Sequence, residues 1–217
     1  MITHNELKAK VRLLLNEEDG EEVVTLLSDD TRNIDDYIES LLPEAVLFVQ
    51  KSSRVGGVNP KSSIIGDRGI TVAEDGSGYF KLPNDFVRLI SFAMRGWERP
   101  CNKIYPADSV VAMAQRNKYT RAGWSKPVCV EGFDKEAARV IYFYSLPPDT
   151  EPFIEELVYD TVYVPADGLR CDDRHLIEAV AYQCAALLYN VFEKRDTASL
   201  FFSMAAALCN GSEPDKK

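Results

Sequence analysis

Apolar residues recur at helical spacing through the first fifty residues and again from about residue 174 onward. The stretch between them changes period. It breaks into short apolar runs bounded by Gly, Pro, Asn and Asp, the pattern of strands and turns. A chain ordered as helices, strands, helices has few ways to bury all three parts. The simplest brings the two helical ends together and leaves the strands as an insertion. The fold class this predicts is α+β: a helical bundle built from the N- and C-terminal helices, with an inserted antiparallel β domain. The expected domains are 1–55, 56–165 and 166–217.

Local signals place the elements. Thr3 and Glu6 have the form of a capping box, and Leu7, Val11, Leu14 and Leu15 follow as a first helix to about Asn16. The acidic link Glu17–Glu22, with Gly20, ends it, and Val23–Leu27 forms a short helix or an extended link. Asn33 starts a second helix, with Asp35 and Asp36 against the positive end of its dipole. Its apolar stripe keeps phase from Ile34 to Val49 across Pro43. Proline there costs about 3 kcal/mol in a free helix, so either one kinked helix runs through or Pro43 starts a second. Ser52–Ser63 is a loop. Asp75-Gly76 between Ile70–Ala73 and Gly78–Leu82 signals a hairpin. Leu82–Phe86 is a tight turn. Leu89–Met94, apolar almost without alternation, is expected to be a central strand buried on both faces, closed by Gly96 and Trp97. A short helix is predicted over Ala107–Gln115 with Val110, Val111 and Ala114 inward, then a polar loop Asn117–Lys126. Strands are expected at Val128–Val130, Arg139–Tyr144 and Ile154–Val164. Cys171-Asp172-Asp173 caps a helix to about Glu193. Asp196 or Thr197 starts the last helix, which ends near Gly211.

Chemistry is harder to find. The chain has 217 residues, 46% hydrophobic and 27% charged, with a net charge of -9. That balance opposes a protein whose task is gripping nucleic acid, yet an acidic wall suits one that lets DNA slide past. Five cysteines without paired spacing fit reduced thiols. Met1 leads into an amphipathic segment, so no targeting sequence is expected, and no apolar run is long enough for a membrane span. The best catalytic candidate is Cys171 with His175 at a helix start, but Asp172 and Asp173 between them oppose thiolate formation. Two ligands are too few for zinc. The expectation is therefore no enzyme, no cofactor and no metal. The loop 116–126 mixes Arg116, Lys118, Arg121 and Lys126 with Tyr119 and Trp124. Such a mixture suits a protein interface, or stacking and phosphate binding in a nucleic-acid accessory protein. Trp97 and Trp124 are more aromatic surface than a small β domain needs, which points to a subunit contact.

One ordered set of segments resembles a known family. Tyr37-Ile38-Glu39-Ser40-Leu41-Leu42-Pro43-Glu44-Ala45 is followed by Leu82-Pro83-Asn84-Asp85-Phe86-Val87-Arg88-Leu89. Then come Gly96-Trp97, Asn117-Lys118-Tyr119, Lys126-Pro127-Val128 and an alanine-rich C-terminal helix pair. In order and content these resemble the head-to-tail adaptors of tailed phages, the tail-tubular or ring proteins bound under the portal in short-tailed and crAss-like phages. The acidic link Glu17–Glu22 and the polar tail have no match in that pattern. The resemblance implies a homo-oligomeric ring of about twelve subunits between the portal and downstream tail or ring proteins. DNA would pass through its lumen without sequence-specific binding and without a membrane. It implies a virion protein of the head–tail junction, made in the host cytoplasm. Candidate interface residues are Trp97, Arg116, Tyr119, Arg121 and Trp124. The tail residues Glu213, Asp215, Lys216 and Lys217 join them, as a latch on a neighbouring subunit or the portal.

Overall fold

A computed structural model describes residues 1–19, 33–63, 66–67, 69–161 and 168–210. In chain order the elements are α1 (His4–Asp19), α2 (Ile34–Ser52), β1 (Pro60–Ser63), β2 (Ile70–Val72), β3 (Gly78–Lys81), β4 (Phe86–Met94), β5 (Ile104–Tyr105), α3 (Val110–Gln115), β6 (Cys129–Phe133), β7 (Arg139–Phe143), β8 (Ile154–Thr161), α4 (Arg174–Val191) and α5 (Arg195–Cys209). The protein is mixed α and β, consistent with the α+β class. It divides into two compact units: Met1–Pro60 with Val162–Lys217, and Lys61–Thr161.

The helical unit is organised on α4, whose buried residues from Leu176 to Tyr189 leave it little solvent-facing surface. The helices α1, α2 and α5 each pack on it. Helix α1 opens with the capping box: the Thr3 N–H donates to Glu6 Oε2 at 2.9 Å, and the Glu6 N–H to Thr3 Oγ1 at 3.2 Å. Asn33 and Asp36 form a second one at the start of α2. Helix α2 then runs unbroken through Pro43, because Ile38 and Leu42 before it and Ala45, Val46 and Val49 after it share one buried face. The proline therefore lies inside one helix and does not begin a second. Asp173 caps α4, its carboxylate accepting from the His175 N–H at 2.9 Å. Helix α5 starts at Arg195 after Lys194, earlier than Asp196 or Thr197, because Glu193 at φ 61° turns the chain tightly and the Lys194 N–H bonds back to the Tyr189 carbonyl. Ile2 bridges Leu169 in both directions, at 3.0 and 2.8 Å. Gly168 makes that approach possible. Its φ is 126°, and a Cβ there would lie 2.1 Å from the Ile2 carbonyl oxygen. The end of the acidic link and Val23–Leu27 lie outside the described residues.

The second unit holds two sheets, ordered β1-β8-β4 and β2-β3-β7-β6-β5. The Asp75-Gly76 hairpin joins β2 to β3, with Gly76 at φ 75°. Phe80, Phe92, Ile141, Phe143, Ile154, Leu157 and Tyr159 form the core. Several sequence expectations need correction. Strand β1 lies in the segment assigned to a loop; Lys61 and the two serines after it carry no apolar signal, and pairing with β8 alone makes them a strand. Strand β4 stands at the end of its sheet, not the centre, and is not buried on both faces. Register shifts between Phe86 and Arg88, Leu89 and Ser91, and Ala93 and Met94 bring Phe86, Leu89, Phe92 and Met94 inward. Its missing alternation was the mark of bulges. The unit is also not wholly antiparallel, since β5 pairs with β6 in parallel. Helix α3 begins at Val110 and buries Ala112 and Gln115, leaving Val110 outside.

Candidate interaction surface

Two segments of the Lys61–Thr161 unit carry the residues singled out above, and they use them differently. In the Leu82–Phe86 turn, the Phe86 N–H closes onto the Pro83 carbonyl at 3.1 Å. That presents Asp85 to β8 and β1. Its carboxylate accepts from Tyr159 OH at 3.0 Å, Thr161 Oγ1 at 2.9 Å and Lys61 Nζ at 2.7 Å. Burial pushes the Asp85 carboxyl up, but the bonds from Lys61, Thr161 and Tyr159 outweigh it and hold the group below its ordinary value. Three positions on, Arg88 Nε reaches the buried Asp160 at 2.6 Å. Trp97, at the end of the same segment, packs edge-on against Phe92 and Phe143 and donates its indole N–H to the Ser145 carbonyl at 3.1 Å. Its ring belongs to this unit's own core, so the surplus of aromatic surface inferred from the two tryptophans does not include it.

The second segment runs from Ser109 to Lys126. Ser109 caps α3, accepting from the Ala112 N–H at 3.2 Å. Gln115, buried on the inner side, fixes the loop that follows. Its Oε1 accepts from the Ala122 N–H at 2.8 Å, and its backbone carbonyl accepts from Arg121 Nε at 3.2 Å. Asn117 Oδ1 accepts from the Tyr119 N–H, Thr120 Oγ1 donates to the Ala114 carbonyl, and the Trp124 carbonyl accepts from the Glu98 N–H. Arg121 is committed too. It pairs with Asp75 at 2.7 Å and lies 5.7 Å from the Tyr144 ring centre. The Ser77 hydroxyl first, then Arg121, hold the Asp75 carboxyl down to about 2 against burial.

What remains is a pinned backbone with unused side chains. Tyr119 is 83% exposed, Val110 79%, Met113 51% and Trp124 45%. Arg116, Lys118 and Lys126 make no ion pair among the described residues; Lys118 lies 5.0 Å from the Tyr119 ring centre. The segment contains no Asp or Glu. Exposed apolar and aromatic side chains with cations on one backbone-fixed segment have the composition of a protein contact surface. Of the sequence candidates, the structure leaves Arg116, Tyr119 and Trp124 exposed on this segment and gives Trp97 and Arg121 internal contacts. Glu213, Asp215, Lys216 and Lys217 lie outside the described residues. Val110 and Met113 went unrecognised in the sequence because a short helix gives too few turns to show which face is outward.

Cys171 and His175 are not paired. The Cys171 thiol is buried and donates to the Gly57 and Asp173 carbonyls, both at 3.2 Å, while His175 is exposed. Burial first, with Asp172 and Asp173 adding, pushes this thiol up, opposite to what a nucleophile needs. All five cysteines are free. Among the described residues no three His, Cys, Asp or Glu side chains are grouped to hold a metal ion, and no helix is long and apolar enough to cross a membrane. No family model matches the sequence, and no curated protein matches it.

Proposed function

We propose that this chain is a structural virion protein, a head-to-tail adaptor whose copies form a ring, about twelve strong, between portal and tail, with DNA passing through the lumen. The observation that carries the reading is the Ser109–Lys126 surface, with side chains of interface type that the fold itself leaves unused. The segment order that resembles the adaptor family adds to it. So does the division of the chain, in which one compact unit draws on both ends of the sequence and the other on the stretch between them. In this proposal the first unit is the helical bundle of the family, over 1–55 and 166–217, and 56–165 is the β-rich insertion. The net charge of -9 suits a conduit, because an acidic wall keeps DNA from adhering. The protein is made in the host cytoplasm and ends at the head–tail junction of the particle. The tail residues Glu213, Asp215, Lys216 and Lys217 latch a neighbouring subunit or the portal; deleting residues 211–217 lowers ring occupancy on purified particles.

The deciding experiment mixes the purified protein with its portal and images the complex by negative stain. Added ring density under the portal is expected. A portal that looks the same with and without this protein removes the adaptor reading.

A further inference from the structure

The Ser109–Lys126 surface carries a surplus of positive charge on an acidic chain, and the same compact unit carries a second, opposite patch. Across the turn before β8 and the start of that strand, the segment 149–156 carries Asp149, Glu151, Glu155 and Glu156 and no Lys or Arg, and Arg95 pairs with two of the four, Glu151 and Glu155. Arg95 lies over the Phe153 ring at 4.3 Å and reaches Glu151 and Glu155 only at 3.5 and 3.8 Å. With Arg95 counted against them, the four carboxylates leave this segment a net charge of -3. The side chains of Glu151 and Glu155 are 81% and 53% exposed. The first surface likewise offers three cations, Arg116, Lys118 and Lys126. No ion pair joins the two patches among the described residues. One turn touches both: Arg95 faces the acidic patch, and the Glu98 N–H bonds to the Trp124 carbonyl.

We infer that the occupant of the Ser109–Lys126 surface is the 149–156 acidic patch of a second copy of this chain. The warrant is charge complementarity carried by one compact unit. Three cations without an ion pair, Arg116, Lys118 and Lys126, share one segment with exposed Tyr119 and Trp124, the other patch carries a net negative charge, and every copy brings both halves. Opposite potentials steer encounter and fix register, while the exposed apolar side chains supply the desolvated contact. Nucleic acid fits less well. It needs cations and stacking faces but has no use for exposed Val110 and Met113, and a chain carrying -9 repels it at longer range. The inference rests on the proposed reading of this surface as a protein contact, but not on the portal.

The test is a charge exchange read by sedimentation, with no portal present. One variant reverses the cations (Arg116→Glu, Lys118→Glu, Lys126→Glu). The other reverses the acids (Asp149→Lys, Glu151→Lys, Glu155→Lys). All substituted side chains are outside the core, and matching thermal melts verify folding. Wild type should sediment as more than one copy at low salt. It should shift toward the monomer at salt near 1 M, where screening falls to about 3 Å. Each variant alone should associate at least about a hundredfold more weakly, since like charges then face each other. An equimolar mixture of the two should recover association, because each supplies what the other has lost. Wild type that stays monomeric throughout, or variants whose mixture does not recover, overturns the inference. So does a monomeric wild type that binds single-stranded oligonucleotide and loses it in the first variant; the surface then belongs to nucleic acid. Association that recovers while the portal gains no ring keeps this contact and removes the adaptor. A ring on the portal without recovery does the reverse.

Discussion

Trp97 and Trp124 close two consecutive segments of the same compact unit, and the segments are unlike. From Leu82 to Trp97 every notable group has a partner inside the unit: Asp85 has three donors, Arg88 has Asp160, and the Trp97 indole has Ser145. From Ser109 to Lys126 the backbone is held just as firmly, by Gln115, Asn117 and Thr120, but the side chains at its surface have no such partners. Residue type therefore does not mark the site. Both segments offer Trp and Arg, and only the second leaves a Trp and an Arg, Trp124 and Arg116, exposed. The first segment builds the fold, and the second has side chains left to bind with.

Substitutions separate the two. The largest effect is expected for Trp97→Ala, which empties a place between Phe92 and Phe143 and strands the Ser145 carbonyl. A loss of about 3 kcal/mol follows from cavity formation, measurable by urea unfolding. A loss below about 1 kcal/mol would place Trp97 with Trp124 and end the contrast. Next is Asp85→Ala, at about 2 kcal/mol, because Tyr159 and Thr161 lose their acceptor and Lys61 its counter-charge. This one also has a pH signature. The folded carboxyl sits below its unfolded value, so its contribution is complete above the ordinary carboxylate pKa of about 4. It disappears as the pH falls through the lower folded value. The melting temperature of Asp85→Asn should therefore fall less steeply on acidification than that of wild type; parallel curves would contradict the network.

Arg121→Ala comes third. Its partner Asp75 is half exposed, so solvent screens the pair and the loss should stay near 1 kcal/mol or below. Its sharper consequence is a looser 117–124 loop, read as faster amide exchange at Ala122 and Tyr119. Unchanged exchange would mean that Gln115 alone holds the loop. The smallest stability effect is expected for Tyr119→Ser with Trp124→Ser, within about 0.5 kcal/mol of wild type. The same pair should abolish self-association at low salt. A large drop in stability would show that these rings are part of the fold and erase the distinction on which the site rests.

Much of the local structure was legible, for a definite reason. Thr3 with Glu6, Asn33 with Asp36, Asp173, and Asp75-Gly76 act on backbone groups within a few residues, so their meaning is contained in the sequence that surrounds them. What failed depended on distant partners. Residues 60–63 become a strand only beside β8. The bulges of β4 follow from its register with Ile154–Thr161. The parallel β5–β6 pairing joins segments about two dozen residues apart. The site divides the same way. The loop's composition named Arg116, Tyr119 and Trp124 as candidates. Arg121 could be removed from that group only once Asp75 was seen beside it, and Trp97 only once Ser145 was.

The bridge between Ile2 and Leu169, together with the packing of α1 and α2 on α4, has a consequence for how the molecule is made. Apart from two surface ion pairs, Lys8 with Glu39 and Arg12 with Asp35, the first two helices touch each other little and meet chiefly through α4. During translation they leave the ribosome long before α4, a delay on the order of ten seconds at ordinary elongation rates. Lys61–Thr161 is complete by then and can fold as a unit of its own. The earliest residues to emerge are thus among the last to settle. For that interval the stripes Leu7–Leu15 and Ile38–Val49 are open to chaperones, and to the same stripes on neighbouring nascent chains.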